Sequence, residues 1–169
     1  MFSLIRRVAM AMALTAIVAA SAAAQQYGAQ LNFGTESDLG VGARAEFSLA
    51  NKLSKEGPLS QAFVIAAFDY YFMDCAGLDC TYWEINPSLA VPMKAGTMNA
   101  YVGAGINYAS MTLTFPGFGE ISDSQTGLNL LGGLKFPLAG QSAFAEARVG
   151  LGGGEQIALS FGFLFGGAP

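Results

Sequence analysis

Leu39-Gly-Val-Gly-Ala-Arg-Ala-Glu-Phe-Ser-Leu49 is the stretch that decides the fold. Successive side chains of an extended chain point to opposite faces, so Leu39, Val41, Ala43, Ala45, Phe47 and Leu49 share one side, and Gly40, Gly42, Arg44, Glu46 and Ser48 the other. One face suits hydrocarbon and the other suits water. In a soluble antiparallel sheet the apolar face would be the core. Here the polar face carries opposite charges, which fits the inside of a barrel standing in lipid.

The same alternation recurs and predicts eight strands: Tyr27 to Thr35, Leu39 to Leu49, Phe63 to Met73, Thr81 to Met93, Met98 to Met111, Gly127 to Leu138, Ala143 to Leu151 and Gln156 to Phe165. Most are near the 9 to 11 residues that a tilted strand needs to cross a bilayer. The expected fold is all-β, an eight-stranded antiparallel up-and-down transmembrane barrel. Its connections alternate in character. Pro92-Met-Lys-Ala-Gly96 and Pro137-Leu-Ala-Gly140 are tight, whereas the links after the third and fifth strands are longer and more acidic. With both termini periplasmic, tight turns face the periplasm and acidic loops the outside. The link from Ala50 to Gln61 is long where a short one is expected and reads as a mobile periplasmic loop. Aromatic residues fall into two girdles: Phe33, Tyr70, Phe72, Trp83 and Tyr108 near the outer ends, and Phe47, Phe136 and Phe165 near the inner ends. Two strands are irregular. Phe63, Ile65 and Ala67 share a face with Asp69, and Pro87 should force a bulge or a missing ladder bond in the fourth strand.

The segment before residue 25 reads as an export signal. Arg6 and Arg7 form a basic start, Val8 to Ala20 an apolar stretch too short for the ~20 residues of a spanning helix, and Ser21-Ala-Ala-Ala24 a cleavage site. The expectation is a cleaved signal peptide over 1–24 and a barrel domain over 25–169. The remaining chain carries six basic and twelve acidic groups, a formal charge of −6, which disfavours nucleic acid as a partner.

By alternation Arg44, Glu46, Asp69, Glu84, Lys135, Glu146 and Arg148 all face the lumen. Eight strands enclose an interior just wide enough for side chains, so these charges should form one hydrogen-bonded, salt-bridged network that plugs the barrel. Catalysis is not expected. The chain has no histidine, the commonest general base, and a carboxylate pair such as Glu46 with Glu84 would sit where substrate has no route. Cys75 and Cys80 flank Ala-Gly-Leu-Asp in an outer loop, and in an oxidising compartment they read as a disulfide; two thiols without His or further Cys do not complete a metal site. Gly103-Ala-Gly105 and Gly150-Leu-Gly-Gly-Gly154 lack the helix and Lys of a phosphate loop and serve instead to fit side chains into a narrow lumen. No cofactor or metal is implied.

Taken together, the signal, the strand count, Tyr101-Val-Gly-Ala-Gly-Ile-Asn-Tyr108, Phe144-Ala-Glu-Ala-Arg148 and the alternating Phe161, Phe163 and Phe165 make the chain resemble the small eight-stranded outer-membrane barrels of Gram-negative bacteria, of the OmpA-domain, OmpX and opacity-protein type. The resemblance covers the whole mature chain. It implies a location in the outer membrane and a last strand, Phe161, Phe163 and Phe165, that addresses the insertion machinery; Gly166-Gly-Ala-Pro169 departs from it by following the final aromatic. Barrels of similar architecture that act as lipid A acyltransferases or deacylases rely on a His with a Ser, which this chain cannot supply. The expected role is structural or adhesion-like. In the fifth-to-sixth strand loop, Thr114 to Asp123, Phe115, Phe118 and Ile121 either meet a host surface, a neighbouring protein or lipopolysaccharide or fold back onto the barrel rim. The expected partners are membrane lipid, lipopolysaccharide and the insertion machinery, and the chain is expected to be a monomer. The alternatives are a small-solute channel and a soluble periplasmic lipocalin-like carrier.

Overall fold

A computed structural model of the protein describes residues 26–95, 98–154 and 157–166. In it eight strands pair antiparallel in chain order, and the last closes on the first: β1 (Gln26–Gly34), β2 (Asp38–Ser48), β3 (Phe63–Phe72), β4 (Asp79–Ala95), β5 (Met98–Phe115), β6 (Gly119–Leu138), β7 (Gln141–Leu151) and β8 (Ile157–Gly166). This is the up-and-down barrel expected from the alternation. The expected signal peptide with its cleavage site, Gly96, Gln156 and the tail 167–169 lie outside the described residues.

Register keeps the two faces apart. Leu31 lies opposite Val41 and Phe161, and Gln30 opposite Gly42 and Gly162, so apolar meets apolar outside and polar or small meets small inside. Outward side chains such as Phe33, Leu128 and Leu159 are more than half exposed, while Arg44, Glu46, Asp69, Glu84 and Arg148 are 2% exposed or less. A soluble protein does the reverse. The expected aromatic girdles face outward: Tyr70 packs on Phe72, and Trp83 on Phe68 and Tyr108, at one end, and Tyr27 packs on Phe165, and Phe136 on Phe161, towards the other.

The two ends differ. At the turn end β6 and β7 are joined by Ala139 and Gly140, both at positive φ, a two-residue hairpin turn whose twist matches its strands. The link over 50–61 is not loose. Leu49 donates to Ala62 and Asn51 to Ser60, and Pro58–Gln61 form a 3-10 turn beside a vestibule of about 1110 Å³ that Phe63, Tyr101 and Lys135 also line.

Pro87 gives the second of its two expected outcomes, a missing ladder bond in place of a bulge, and two other expectations need correction. Ile85 pairs with Tyr108 and Ser88 with Gly105 in one unbroken register, and the two intervening positions drop out of the β4–β5 ladder, because Pro has no N–H to give. β4 starts at Asp79 and extends to Ala95, so Pro92 belongs to a strand and not to a turn. Most consequential, the expected loop over Thr114 to Asp123 is β structure. β5 runs on to Phe115 and β6 begins at Gly119, with only Pro116, Gly117 and Phe118 between them. The alternation persists there but its polarity inverts. Outward positions become Ser110, Thr112, Thr114, Glu120, Ser122 and Ser124, and inward ones Met111, Leu113, Phe115 and Ile121, with Asp123 and Gln125 the polar exceptions on β6. Read as loss of an outward apolar face, the inversion looks like a strand end; Thr and Ser in register continue the ladder all the same.

Candidate functional site

The candidate site is the lumen with its mouth at the loop end. Each lumen charge is placed by strand parity, and the charges gather around two centres stacked along the barrel axis.

Nearer the turn end, the Arg44 guanidinium donates to Glu46 Oε1 at 2.9 Å and to Glu146 Oε2 at 2.8 Å, and it lies 4.3 Å from the Phe144 ring centroid. Lys135 Nζ pairs with Glu46 Oε2 and lies over the Phe63 ring. Tyr101 completes the group, donating to Glu146 Oε2 at 2.8 Å and accepting from Arg44 at 3.2 Å. Two cations here face two carboxylates. The two large rings fit because glycine stands opposite each: Tyr101 pairs across the ladder with Gly133 and Phe144 with Gly162, and a Cβ on Gly133 would lie 2.3 Å from Tyr101 Cζ.

Nearer the loop end, Arg148 donates to Asp69 Oδ2 at 3.1 Å, to Glu84 Oε2 at 3.3 Å and to the Tyr71 hydroxyl at 3.4 Å. Amides supply most of the other donors. Gln30 and Asn32 each reach Asp69 Oδ1 at 2.7 Å, and Asn86 donates to both Asp69 and Glu84 at 3.1 Å. Asn107 and Asn129 in turn donate to Asn86 Oδ1, and the Tyr82 hydroxyl to Glu84 Oε1 at 2.6 Å. Among the described residues Arg148 is the cation that these two carboxylates share.

The lumen charges expected to form one network thus gather around two centres, with Glu146 in one and Arg148 in the other. Glu146 and Arg148 share a face of β7 two residues, about 7 Å, apart, a spacing that sends one to Arg44 and the other to Asp69 and Glu84. Glu46 and Glu84 belong to different centres and form no carboxylate pair.

At the mouth Phe118 tops the β5–β6 hairpin and is 94% exposed, whereas Phe115 and Ile121 share its inner face. Ile121 lines a cleft of about 370 Å³ with Met73, Met111, Leu113, Glu36 and Asp123. Among the described residues β6 pairs with β7 only from Leu128, so its edge over 119–127 has no ladder partner on that side, although Gly152 and Gly153 lie against Thr126 and Gly127. Cys75 and Cys80 form a disulfide across the β3–β4 connection, with Ala76 and Gly77 at positive φ between them. Phe161, Phe163 and Phe165 alternate on the outward face of β8, and the first two meet edge to face.

No protein-family model matches the chain, and no curated protein matches it by sequence. Solved structures do. The N-terminal β-barrel domain of Pseudomonas aeruginosa OprF aligns over 84% of this chain and 98% of its own, at 14% identity and a TM-score of 0.51. Neisserial surface protein A aligns over 82% and 90%, at 13% identity and a TM-score of 0.50. The chain has the fold of the small eight-stranded outer-membrane barrels. At such identities the likeness extends to the fold and no further.

Within that fold, sequence reasoning singled out the charges and missed their uncharged partners: Tyr71, Tyr82 and Tyr101, and the amides Gln30, Asn32, Asn86, Asn107 and Asn129. The signal was there. Each amide occupies a lumen-parity position, and a buried amide at such a position needs a partner across the barrel.

Proposed function

We propose that this chain is an integral outer-membrane protein of a Gram-negative cell, exported by a signal peptide cleaved after Ala24, with a lumen closed by ion pairs and a surface-interaction role at its loop end. The observation that carries the reading is the division of polarity. Large apolar side chains circle the outside, while seven charged groups and their amide partners fill the inside. A soluble lipocalin-like carrier would need the opposite arrangement. A solute channel would need a continuous wet path, and the two ion-paired centres occupy the space it would take; that favours a plug, with function displaced to the rim. The inverted polarity of the β5–β6 hairpin marks where the chain leaves hydrocarbon. Ser and Thr face outward above Tyr108, and Phe118 stands clear at the tip as a contact residue.

In this reading lipid and lipopolysaccharide surround the apolar belt, the insertion machinery reads Phe161, Phe163 and Phe165, and Phe118 serves a partner outside while Phe115 and Ile121 face the mouth of the barrel. No cofactor enters and no residue is assigned a catalytic role. The test joins three measurements: membrane fractionation, protease shaving of intact cells, and planar-bilayer recording. The expected results are outer-membrane recovery, cleavage within residues 114–123 from outside, and no steady conductance. Inner-membrane or soluble recovery would overturn the location, a protected hairpin the surface role, and a large stable conductance the plug.

A further inference from the structure

The vestibule at the turn end is a preformed cavity whose lining has a definite chemistry. Its volume of about 1110 Å³ matches the upper end of the ~300–1,000 Å³ range of small-ligand sites. Its rim is fixed by the backbone hydrogen bonds from Leu49 to Ala62 and from Asn51 to Ser60, and by the 3-10 turn Pro58–Gln61. Among the described residues Lys135 is the one charged side chain that lines it, and no carboxylate does. The link over 50–61 that walls it adds Lys52 and Lys55 against Glu56. The field in the vestibule therefore favours an anion.

Its floor sets an unused acceptor beside that cation. Gln26 is 5% exposed and lines the vestibule, and its side-chain Oε1 has no hydrogen-bond partner. A buried amide oxygen left unpaired is costly, and a bound N–H would remove the cost. Gln26 stands opposite Glu46 in the β1–β2 ladder, and Glu46 Oε2 holds Lys135, so acceptor and ammonium flank one carboxylate. Glu46 divides its charge between Lys135 and Arg44, and the Lys135 ammonium, which is 14% exposed, keeps an open side for a ligand. Around this pair Gln61, Asn99 and Gln141 supply amides, and Pro58, Phe63 and Pro92 an apolar wall.

We infer that the vestibule binds a peptide by its C-terminus, with the carboxylate set against Lys135, the last amide N–H against Gln26 Oε1, and the terminal side chain against Pro58 and Pro92. A sulfate ion would satisfy Lys135 but bring no donor to Gln26. A neutral saccharide would bring the donor but no charge. A cation finds no carboxylate in the lining among the described residues. A peptide backbone offers one donor and one acceptor per residue, which the amides of Gln61, Asn99 and Gln141 match. The chemistry is shared by a free short peptide and by the C-terminal tail of a neighbouring protein. The site stands at the opposite end of the barrel from the surface role proposed above and does not rest on it.

The test uses the folded barrel in lipid nanodiscs, with affinity read by calorimetry and location by NMR of 13Cε-lysine and 13C-methyl methionine. N-acetyl-Leu-Ala-Leu should shift the Lys135 signal and leave Met73 and Met111, in the cleft at the other end, in place. Its C-terminal amide should bind about fivefold more weakly, the loss of one partly exposed ion pair. The ester analogue with oxygen in place of the last N–H should also lose about fivefold, the loss of one hydrogen bond. Both changes are made in the ligand, so neither result depends on the folding of a variant. Lys135→Met should erase the difference between acid and amide, and Gln26→Leu that between N–H and ester. The same three residues at the end of a folded carrier protein binding more tightly than the free peptide assigns a protein tail, and weaker binding assigns a free peptide. A silent Lys135 signal, equal affinity of acid and amide, equal affinity of N–H and ester, or displacement of the peptide by an equal concentration of sulfate would each overturn the inference. None of these results depends on which way the barrel faces in a cell, so protease shaving can fail independently of the vestibule.

Discussion

Arg148→Met tests whether the loop-end centre holds the barrel together. Arg148 is 2% exposed and is the cation shared by Asp69 and Glu84, both fully buried. Methionine roughly preserves the volume, so the effect is electrostatic and not a cavity. Removing one partner of a buried ion pair typically costs about 3–5 kcal/mol. The lower end applies here, because Asp69 keeps donors on Gln30, Asn32 and Asn86 and Glu84 keeps Tyr82 and Asn86. The expected loss is therefore about 3 kcal/mol, read from urea unfolding in lipid vesicles. The combination of Arg148→Met with Glu84→Gln should recover part of it, since only Asp69 then lacks a cation and the new amide can still accept from Asn86. Ala147→Val, one residue away on the outward face, should stay within about 0.5 kcal/mol of wild type. Arg148→Met within 1 kcal/mol of wild type, or a double variant no more stable than the single one, would refute the reasoning.

Other expectations follow from neighbouring contacts. Gly133→Val should destabilise by about 1–3 kcal/mol in the same assay, because its Cβ meets a Tyr101 ring held by Arg44 and Glu146, whereas the outward Gly132→Ala, with nothing nearer than 3.9 Å, should be tolerated. Lys135→Met should cost less than Arg148→Met, since Lys135 is partly exposed and Glu46 retains Arg44. Cys75→Ser with Cys80→Ser should still give a folded barrel, weakened by roughly 2 kcal/mol at most for so short a loop, and alkylation of unreduced wild type should label neither cysteine. Mass spectrometry of the membrane form should place its first residue at or near Gln25.

What the sequence by itself determined is whatever depends on parity. Period-two alternation assigns each strand residue to one wall, so the eight strands, the outward girdles and all seven lumen charges were legible from chain order alone. Composition added the disfavoured classes, with no histidine for a base and too few cations for nucleic acid. Only the tertiary structure decided what depends on register and height. Parity places Glu146 and Arg148 together, but the stagger of the strands sets which carboxylate stands at each level, and so separates a centre around Arg44 from one around Arg148. The β5–β6 hairpin was missed for a related reason. An outward face of Ser and Thr is indistinguishable from a loop along one strand, and becomes a strand only when Thr112 faces Ser122 and Leu113 faces Ile121 across a ladder that carries its hydrogen bonds beyond the apolar belt.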